Sequence, residues 1–195
     1  SWTMSNKLRF DPAWVPASWG ALDNPGWLEG NVVADRAGNL WNILRFHSSP
    51  RADVAAMVQI GDGGRTLAFN PDGGFIPFPG GMTKFTIRFD PVTELYLTLC
   101  NNNTDPRAPG QRNILSLAAA KTLRDWRVVR RLLDDDTGLP WDLSVRLTGF
   151  QYVDWQFDGD DLLYLVRTAY RGAHTFHDAN RLVFHRLRNF RAYLV

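Results

Sequence analysis

Cysteine, long apolar runs and an excess of charge of either sign are all scarce in this chain of 195 residues. Cys100 is the single cysteine, so a disulfide within the chain is impossible. No stretch approaches the ~20 apolar residues of a membrane span, so none is predicted. The net charge is only +2, and the basic residues at 127–131 and 185–191 alternate with apolar ones, so no nucleic-acid partner is predicted.

Helical periodicity is also weak. Residues 115–123 are the only segment in which a short helix is plausible, and we interpret them as a strand followed by a turn. Aromatic residues are abundant by contrast, with 8 Trp and 12 Phe. They favour strands, and they also favour surfaces that bind sugars. With 45% hydrophobic residues, the composition predicts a globular protein with a real core, and the weak helical periodicity favours an all-β fold.

A repeat runs along the chain. Residues 29–35, 84–90 and 152–158 each form an extended run that ends at an Asp, followed by turn residues. Six positions after the Asp stands an aromatic residue, namely Trp41, Tyr96 or Tyr164. A run, a turn and a second apolar run predict a β-hairpin, so the sequence predicts three of them.

Further strand-like segments follow each hairpin, at 55–60 and 66–70, at 113–117 and 126–133, and at 181–187 and 191–195. Four strands repeated three times predict a β-propeller of about three four-stranded blades, at 27–80, 81–139 and 140–195. The repeats are 55 and 68 residues apart, beyond the usual period of ~40–50, which loops of unequal length explain. Residues 1–26 are expected to be a lead-in or the edge of a preceding blade.

Three blades cannot close a ring and hide their edge strands. We therefore expect a partial propeller, or half of one with six or seven blades. Its partner would be a missing half of the propeller or a second copy of the chain.

Several runs resemble the bacterial sialidase-like, or BNR-repeat, glycosidases. They are GWLEGNVV at 26–33, FPGG at 78–81 with KFTI at 84–87, GFQYVDW at 149–155, RTAY at 167–170 and FHDAN at 176–180. The resemblance covers nearly the whole chain from residue 26 and matches the C-terminal half of such proteins. It implies a sialidase-like glycoside hydrolase that degrades polysaccharide and acts outside the cell or in the periplasm. No signal peptide is visible in the sequence.

Antiparallel geometry places the start of the first strand of each hairpin beside the end of the second. Polar residues at these positions should therefore meet in one central cup. Four of them are candidate catalytic residues. Glu29 could act as a general base or activate a tyrosine, and Tyr152 and Tyr170 could each act as nucleophile or base. His177 could act as acid or base.

The remaining cup residues are candidates for binding the substrate. Arg45 and Arg167 suit a sugar carboxylate because a guanidinium group binds a carboxylate through two hydrogen bonds. Lys84 suits an anion as well. The other candidates are Asn31, His47, Gln151, Asp154, His174 and Asn180. Each residue also has a structural explanation, such as an ion pair, a loop cap or packing.

His174 and His177 are spaced as a metal pair can be, but the sequence offers no third ligand, so neither a metal nor a cofactor is predicted. Asp35, Asp90 and Asp158 should be structural turn residues. Trp27 and Trp141 lie near the candidate loops and are possible stacking platforms for sugars. The leading interpretation is a hydrolase acting on an acidic or polar glycan. The alternatives are a propeller lyase that cleaves beside a uronic acid, and a glycan-binding propeller without catalysis.

Overall fold

The computed structural model describes residues 3–194; Ser1, Trp2 and Val195, which belong to the predicted lead-in and final strand, lie outside it. The chain folds into three antiparallel sheets, each formed by strands that follow one another in sequence. Sheet 1 has the order β1-β2-β3-β4, and β5 also pairs with β3. Its strands are β1 Gly26–Ala34, β2 Leu40–His47, β3 Val54–Gly61, β4 Thr66–Ala68 and β5 Phe75–Pro77.

Sheet 2 has the order β6-β7-β8-β9 and sheet 3 the order β10-β11-β12. The strands of sheet 2 are β6 Ile87–Asp90, β7 Leu95–Cys100, β8 Ile114–Ala120 and β9 Arg127–Asp134. The strands of sheet 3 are β10 Gly149–Asp158, β11 Asp161–Ala169 and β12 Arg181–Leu187.

Aspartates organise the first two hairpin turns, as the repeat predicts, whereas Asp158 in the third pairs with Arg186 of β12 at 2.8 Å. In the first turn the carboxylate of Asp35 accepts hydrogen bonds from the backbone N–H of Ala37 and Asn39, and from the Trp41 indole at 3.0 Å. These bonds, the one from Trp41 foremost, lower the pKa of Asp35. In the second turn Asp90 accepts from Thr93 at 2.7 Å. The carboxylates satisfy backbone donors that the turn would otherwise leave unpaired.

Adjacent sheets pack face to face. One apolar cluster lies between sheets 1 and 2 and includes Ile43, Met57 and Phe85. A second lies between sheets 2 and 3 and includes Leu117 and Trp155. Side chains of the innermost strands also bind the neighbouring sheet, as when the Trp155 indole donates to the Thr86 carbonyl at 2.9 Å. The fold is therefore all-β, with three consecutive blades of a partial β-propeller, as the sequence predicts.

Residues 3–25 lie against the outer face of sheet 1. This segment contains two short 3-10 turns, Pro12–Trp14 and Ala17–Trp19. Phe10 contacts Trp27 and Phe46, with ring centroids 5.3 and 5.5 Å apart. Asn6 forms hydrogen bonds with both backbone groups of Leu67 in β4. The segment thus covers an apolar face that the sheet would otherwise expose to water.

Three segments differ from the sequence-based expectation. Strand β5 (Phe75–Pro77) was not predicted, so sheet 1 has five strands rather than four. A short helix, α1 (Trp141–Leu147), precedes β10 where no helix was predicted. The final strand predicted at 191–195 is wrong, because Phe190–Tyr193 forms a 3-10 helix after Asn189, which has a left-handed φ of 49°. Phe190 is fully buried in the core between sheets 2 and 3, so sheet 3 has three strands. No helix in the described part of the chain has the length and apolar character of a membrane span.

Candidate functional site

The innermost strands of sheets 1 and 3 both carry a β-bulge near their first residues. In β1 the register shifts between Trp27 and Gly30, and in β10 it shifts between Gln151 and Asp154. A bulge re-aims side chains and often stands beside an active site. Tyr152 lies in the second bulge with a left-handed φ of 49° and is 40% exposed. A non-glycine residue in this conformation costs of order 1–3 kcal/mol, which the surrounding contacts must offset.

Glu29 lies in the bulge of β1 and forms an ion pair with Arg45 near the end of β2. Arg45 is only 9% exposed, and its Nη1 donates to Glu29 Oε1 at 2.6 Å. Its Nε and Nη2 both donate to the carbonyl of Met82, at 3.2 and 2.9 Å. All the guanidinium nitrogens of Arg45 therefore have acceptors, and the carboxylate is held at the start of the strand.

The loop of residues 78–84 supplies that carbonyl. Gly80 donates its N–H to Asp53 at 2.7 Å, and burial raises the pKa of this aspartate. Gly81 packs so closely on β3 that a Cβ atom would lie 2.0 Å from the carbonyl oxygen of Val54. Only glycine permits this approach. The FPGG run thus positions the Met82 carbonyl over Arg45.

Glu29 is an ionised carboxylate among cations. Its partial burial raises its pKa, but the hydrogen bond from Arg45 and the charges of Arg45 and Lys84 outweigh burial, and the net pKa is lowered. Glu29 is therefore a proton acceptor at neutral pH, and its side chain is 40% exposed.

Arg112, in the loop before β8, adds a cation from sheet 2. Its Nη1 donates to Gln151 Oε1 at 2.5 Å, and its guanidinium carbon lies 5.0 Å from the ring centre of Phe176. Its Nε is buried and has no hydrogen-bond partner within residues 3–194. Burial and then the charge of Arg45 lower the pKa of Arg112, while the neighbouring Tyr152 and Glu29 oppose this.

Tyr152 lies among residues of sheet 3 and the loop at 171–180. The guanidinium of Arg167 lies 5.3 Å from its ring centre, and the His177 ring lies 6.3 Å from it, edge to face. Arg167 also donates to the His177 carbonyl at 2.7 Å, which holds the loop against β11. Gln151 donates to the carbonyl of Phe176. These contacts fix the loop beside the tyrosine.

The structure therefore brings together eight polar side chains from three sheets, which we name the arginine cluster. Seven of them are among the predicted site residues, and Arg112 is the addition. The cluster combines three guanidinium groups and a lysine with one carboxylate and one phenol, a set suited to binding an anion and accepting a proton. Its members are Glu29, Arg45, Lys84, Arg112, Gln151, Tyr152, Arg167 and His177.

Tyr170 and Asn180 have other partners. The hydroxyl of Tyr170 donates to Asp136, a bond that raises the pKa of the tyrosine, and the guanidinium of Arg181 lies 4.4 Å from its ring centre. The side chain of Asn180 binds both the backbone N–H and the carbonyl of Tyr170, at 3.1 and 2.6 Å. This pair closes the loop between β11 and β12.

Asn31 and Asp154 link innermost strands. Asn31 Oδ1 accepts from the Ile87 N–H at 2.5 Å, and Asp154 accepts from Arg88 at 3.2 Å. The Nδ1 of His47 is buried and lacks a hydrogen-bond partner within the described residues. His174 is exposed on the loop at 171–180.

Sequence reasoning missed Arg112 because it considered only the first two strands of each blade. In an antiparallel sheet the third strand begins at the same end as the first. The same rule, applied to β8, points to the residue just before Asn113. Sequence reasoning could therefore have included Arg112.

No family model matches the chain, and no curated protein matches it either. Among solved structures, it is similar to the α-L-arabinofuranosidase Arb93A from Fusarium graminearum, with a TM-score of 0.53 and 14% identity over 84% of this chain and 45% of that one. It is also similar to an α-L-arabinanase from Penicillium chrysogenum complexed with arabinobiose, with a TM-score of 0.52 and 13% identity over 84% of this chain and 46% of that one. The chain thus spans less than half the length of these propellers, and the likeness shows that it has their fold.

Proposed function

We propose that this chain is the substrate-binding part of a carbohydrate-active hydrolase of the sialidase-like type, acting on an acidic sugar. The observation that carries the proposal is that an arginine from each sheet lies beside Glu29 or Tyr152. Arg45 pairs with Glu29, Arg112 is close to both residues, and Arg167 lies 5.3 Å from the ring centre of Tyr152. Placing arginines from three blades around one site costs free energy through desolvation and repulsion of like charges, and a bound anion would offset this cost. A sugar carboxylate is such an anion, and guanidinium groups suit its geometry.

Glu29 and Tyr152 would act on the sugar. Glu29 is ionised, so it would accept the phenolic proton as Tyr152 attacks the anomeric carbon, and Arg112 would stabilise the developing phenolate charge. Sialidases use a tyrosine nucleophile in place of the usual second carboxylate. Arg45 would hold Glu29 in position.

The leaving group requires a proton donor, and Glu29 does not fill that role because its pKa is lowered. We assign this donor to blades that complete the ring, supplied by another part of a longer protein or by a second copy of this chain. An enzyme that acts on extracellular glycan would work outside the cell or in the periplasm.

The solved neighbours are named for arabinose-containing substrates, which are neutral. The charge of the arginine cluster favours an acidic sugar here. A lyase is the second candidate, because His177 lies edge to face with Tyr152 and beside Arg167, an arrangement that suits proton removal next to a uronate.

Binding and products distinguish these candidates. The protein is titrated with sialic acid, a galacturonate oligosaccharide and arabinobiose, and binding is measured by calorimetry. We expect an acidic sugar to bind the native chain and to lose at least about tenfold in affinity with Arg112→Leu, because a charge-assisted pair is removed. Arg131→Leu is the matched control, since Arg131 is on the outer strand β9 and pairs with Asp134.

Products are measured in the enzyme completed by the blades that supply the proton donor. There, reducing ends without near-ultraviolet absorbance would identify a hydrolase, and a conjugated absorbing product would identify a lyase. Binding without either product in the completed protein would identify a glycan-binding module. Equal affinity of the Arg112 and Arg131 variants for every acidic sugar would contradict the assignment of the arginine cluster. Preference for arabinobiose would contradict the choice of an acidic substrate.

A further inference from the structure

A second concave surface lies at the same end of the sheets as the arginine cluster, between the loop that follows β7 and helix α1. The cavity has a volume of about 310 Å³. None of its lining residues belongs to the arginine cluster. They are Asp105, Arg107, Ala108, Trp141, Asp142 and Val145.

Trp141 is held in a fixed orientation although it is 38% exposed. Its indole N–H donates to Asp105 Oδ2 at 2.8 Å, and Arg107 donates to both oxygens of the same carboxylate. The hydrogen bonds from Arg107 lower the pKa of Asp105, so the acceptor stays ionised at neutral pH. An indole anchored through its N–H presents a ring that need not be ordered when a ligand binds.

The lining suits a sugar ring. An aromatic surface packs against the C–H groups of a sugar, while the hydroxyls require donors and acceptors at the edge. Arg107, with a side chain 82% exposed, offers donors, and the exposed Asp142 offers acceptors. The volume is at the lower end of the range for small-molecule sites, which fits one or two rings.

Helix α1 joins this cavity to the arginine cluster. Near its last residues the carbonyl of Arg146 accepts from the backbone N–H of Phe176, whose ring lies beneath Arg112. In the middle of the helix, Ser144 accepts from Asn113 at 2.7 Å. Trp141 stands at the start of the helix, about 8 Å from Arg146 along its axis at ~1.5 Å per residue.

We propose that the Trp141 cavity is a subsite that binds a neutral sugar unit of the glycan whose acidic unit is held by the arginine cluster. The proposal rests on the function proposed above. The cavity would select longer glycans over the free acidic sugar, because both sites are filled by one chain.

The first experiment tests the subsite on its own. The Trp141 indole N–H resonance is identified as the one missing from the NMR spectrum of Trp141→Phe, and native protein is titrated with lactose, arabinobiose and sialyllactose. We expect a saturable shift of that resonance with at least one sugar. An unmoved resonance with all three sugars at saturating concentrations would overturn the proposal.

The second experiment tests the link to the arginine cluster. Affinities for free sialic acid and for sialyllactose are compared in native protein, Trp141→Ala and the exposed-aromatic control Phe184→Ala on β12, which is 63% exposed. We expect the native protein and the control to prefer sialyllactose, and Trp141→Ala to lose about tenfold in affinity for sialyllactose alone, a change of about 1.4 kcal/mol.

If neither acidic sugar binds but the indole resonance still shifts, the function proposed for the arginine cluster fails and the subsite stands. If both acidic sugars bind native protein and Trp141→Ala with the same ratio of affinities, the subsite fails and the proposed function stands. Trp141→Phe, which keeps a ring but lacks the hydrogen bond to Asp105, provides a second comparison if the alanine variant does not fold.

Discussion

Arg45 and Arg112 allow a direct test of which cluster residues serve binding rather than folding. Arg45 is paired at every nitrogen, to Glu29 and to the Met82 carbonyl. Arg112 has one short bond to Gln151, a buried Nε without a partner in residues 3–194, and the charge of Arg45 nearby. Substituting each arginine by leucine should therefore change stability by very different amounts and weaken anion binding in both variants.

The magnitudes follow from these contacts. Arg45→Leu breaks an ion pair between a buried arginine and a partly exposed carboxylate and leaves a carbonyl unpaired, which should lower the free energy of unfolding by about 2–4 kcal/mol. Arg112→Leu leaves Gln151 Oε1 unpaired, at about 1–3 kcal/mol, and removes the contact with Phe176, at about 0.5–1 kcal/mol. Against these losses, it removes a partly desolvated charge beside Arg45, worth several kcal/mol. The net change for Arg112→Leu should lie within about 1 kcal/mol of zero.

Urea unfolding followed by tryptophan fluorescence measures both changes, provided that the slope with denaturant is the same in each variant. Calorimetric titration with sialic acid measures the binding loss. If Arg112→Leu destabilises the protein as much as Arg45→Leu does, Arg112 is a structural residue and the reasoning is refuted. If it leaves both stability and binding intact, the cluster does not bind the anion.

Three further predictions concern the supports of the fold. Arg191→Met removes two hydrogen bonds, at 2.8 and 2.9 Å, to the fully buried Asp90, and should lower the free energy of unfolding by about 3 kcal/mol or more in urea titrations at pH 7. Burial raises the pKa of Asp90, but the hydrogen bonds from Arg191 outweigh burial and lower the net pKa. The stabilisation is therefore present above the unfolded pKa of ~4 and is lost as the pH falls through the lower folded value. The difference in stability between native protein and Arg191→Met should accordingly shrink in unfolding experiments below about pH 4. Gly81→Ala places a Cβ atom 2.0 Å from the Val54 carbonyl oxygen and should greatly reduce the yield of folded protein, whereas Gly110→Ala, at an open position, should not.

The three hairpins were predictable because their signals are local. An Asp turn between two apolar runs determines the position of each hairpin within about ten residues. The structure has the hairpins β1–β2, β6–β7 and β10–β11 at those positions. The C-terminal segment was not predictable in this way. Its 3-10 turn depends on Phe190 entering the core and on Arg191 reaching Asp90, contacts that join residues about a hundred positions apart and leave no local pattern.

The orientation of site residues depended on details that repeat alignment does not resolve. Arg167 and Tyr170 are three positions apart, so an extended chain turns them to opposite faces, and Tyr170 meets Asp136 rather than Tyr152. In the first hairpin Ala34 pairs with Leu40, whereas in the third Asp158 pairs with Asp161. The turns differ in length, so equal spacing after the Asp does not give equivalent positions.

Glu29 is the remaining residue whose role the structure makes testable. Its carboxylate accepts a hydrogen bond from Arg45. It also lies close to the positive charges of Arg45 and Lys84, so its negative charge opposes their attraction for an anionic ligand. Glu29→Gln keeps an oxygen acceptor for Arg45 but removes the negative charge. Even at the dielectric constant of water, removing a like charge ~4 Å from the ligand is worth about 1 kcal/mol, or roughly fivefold in affinity.

We therefore expect Glu29→Gln to bind sialic acid roughly fivefold more tightly than the native chain and to show no turnover in the completed enzyme, because the amide does not accept the phenolic proton. Calorimetry and a reducing-end assay measure the two effects. Glu94→Gln, which removes the same charge from an exposed residue in the turn before β7, controls for the effect of net charge. Weaker binding by Glu29→Gln would mean that the carboxylate serves chiefly to position Arg45, and unchanged turnover would remove Glu29 from the chemistry.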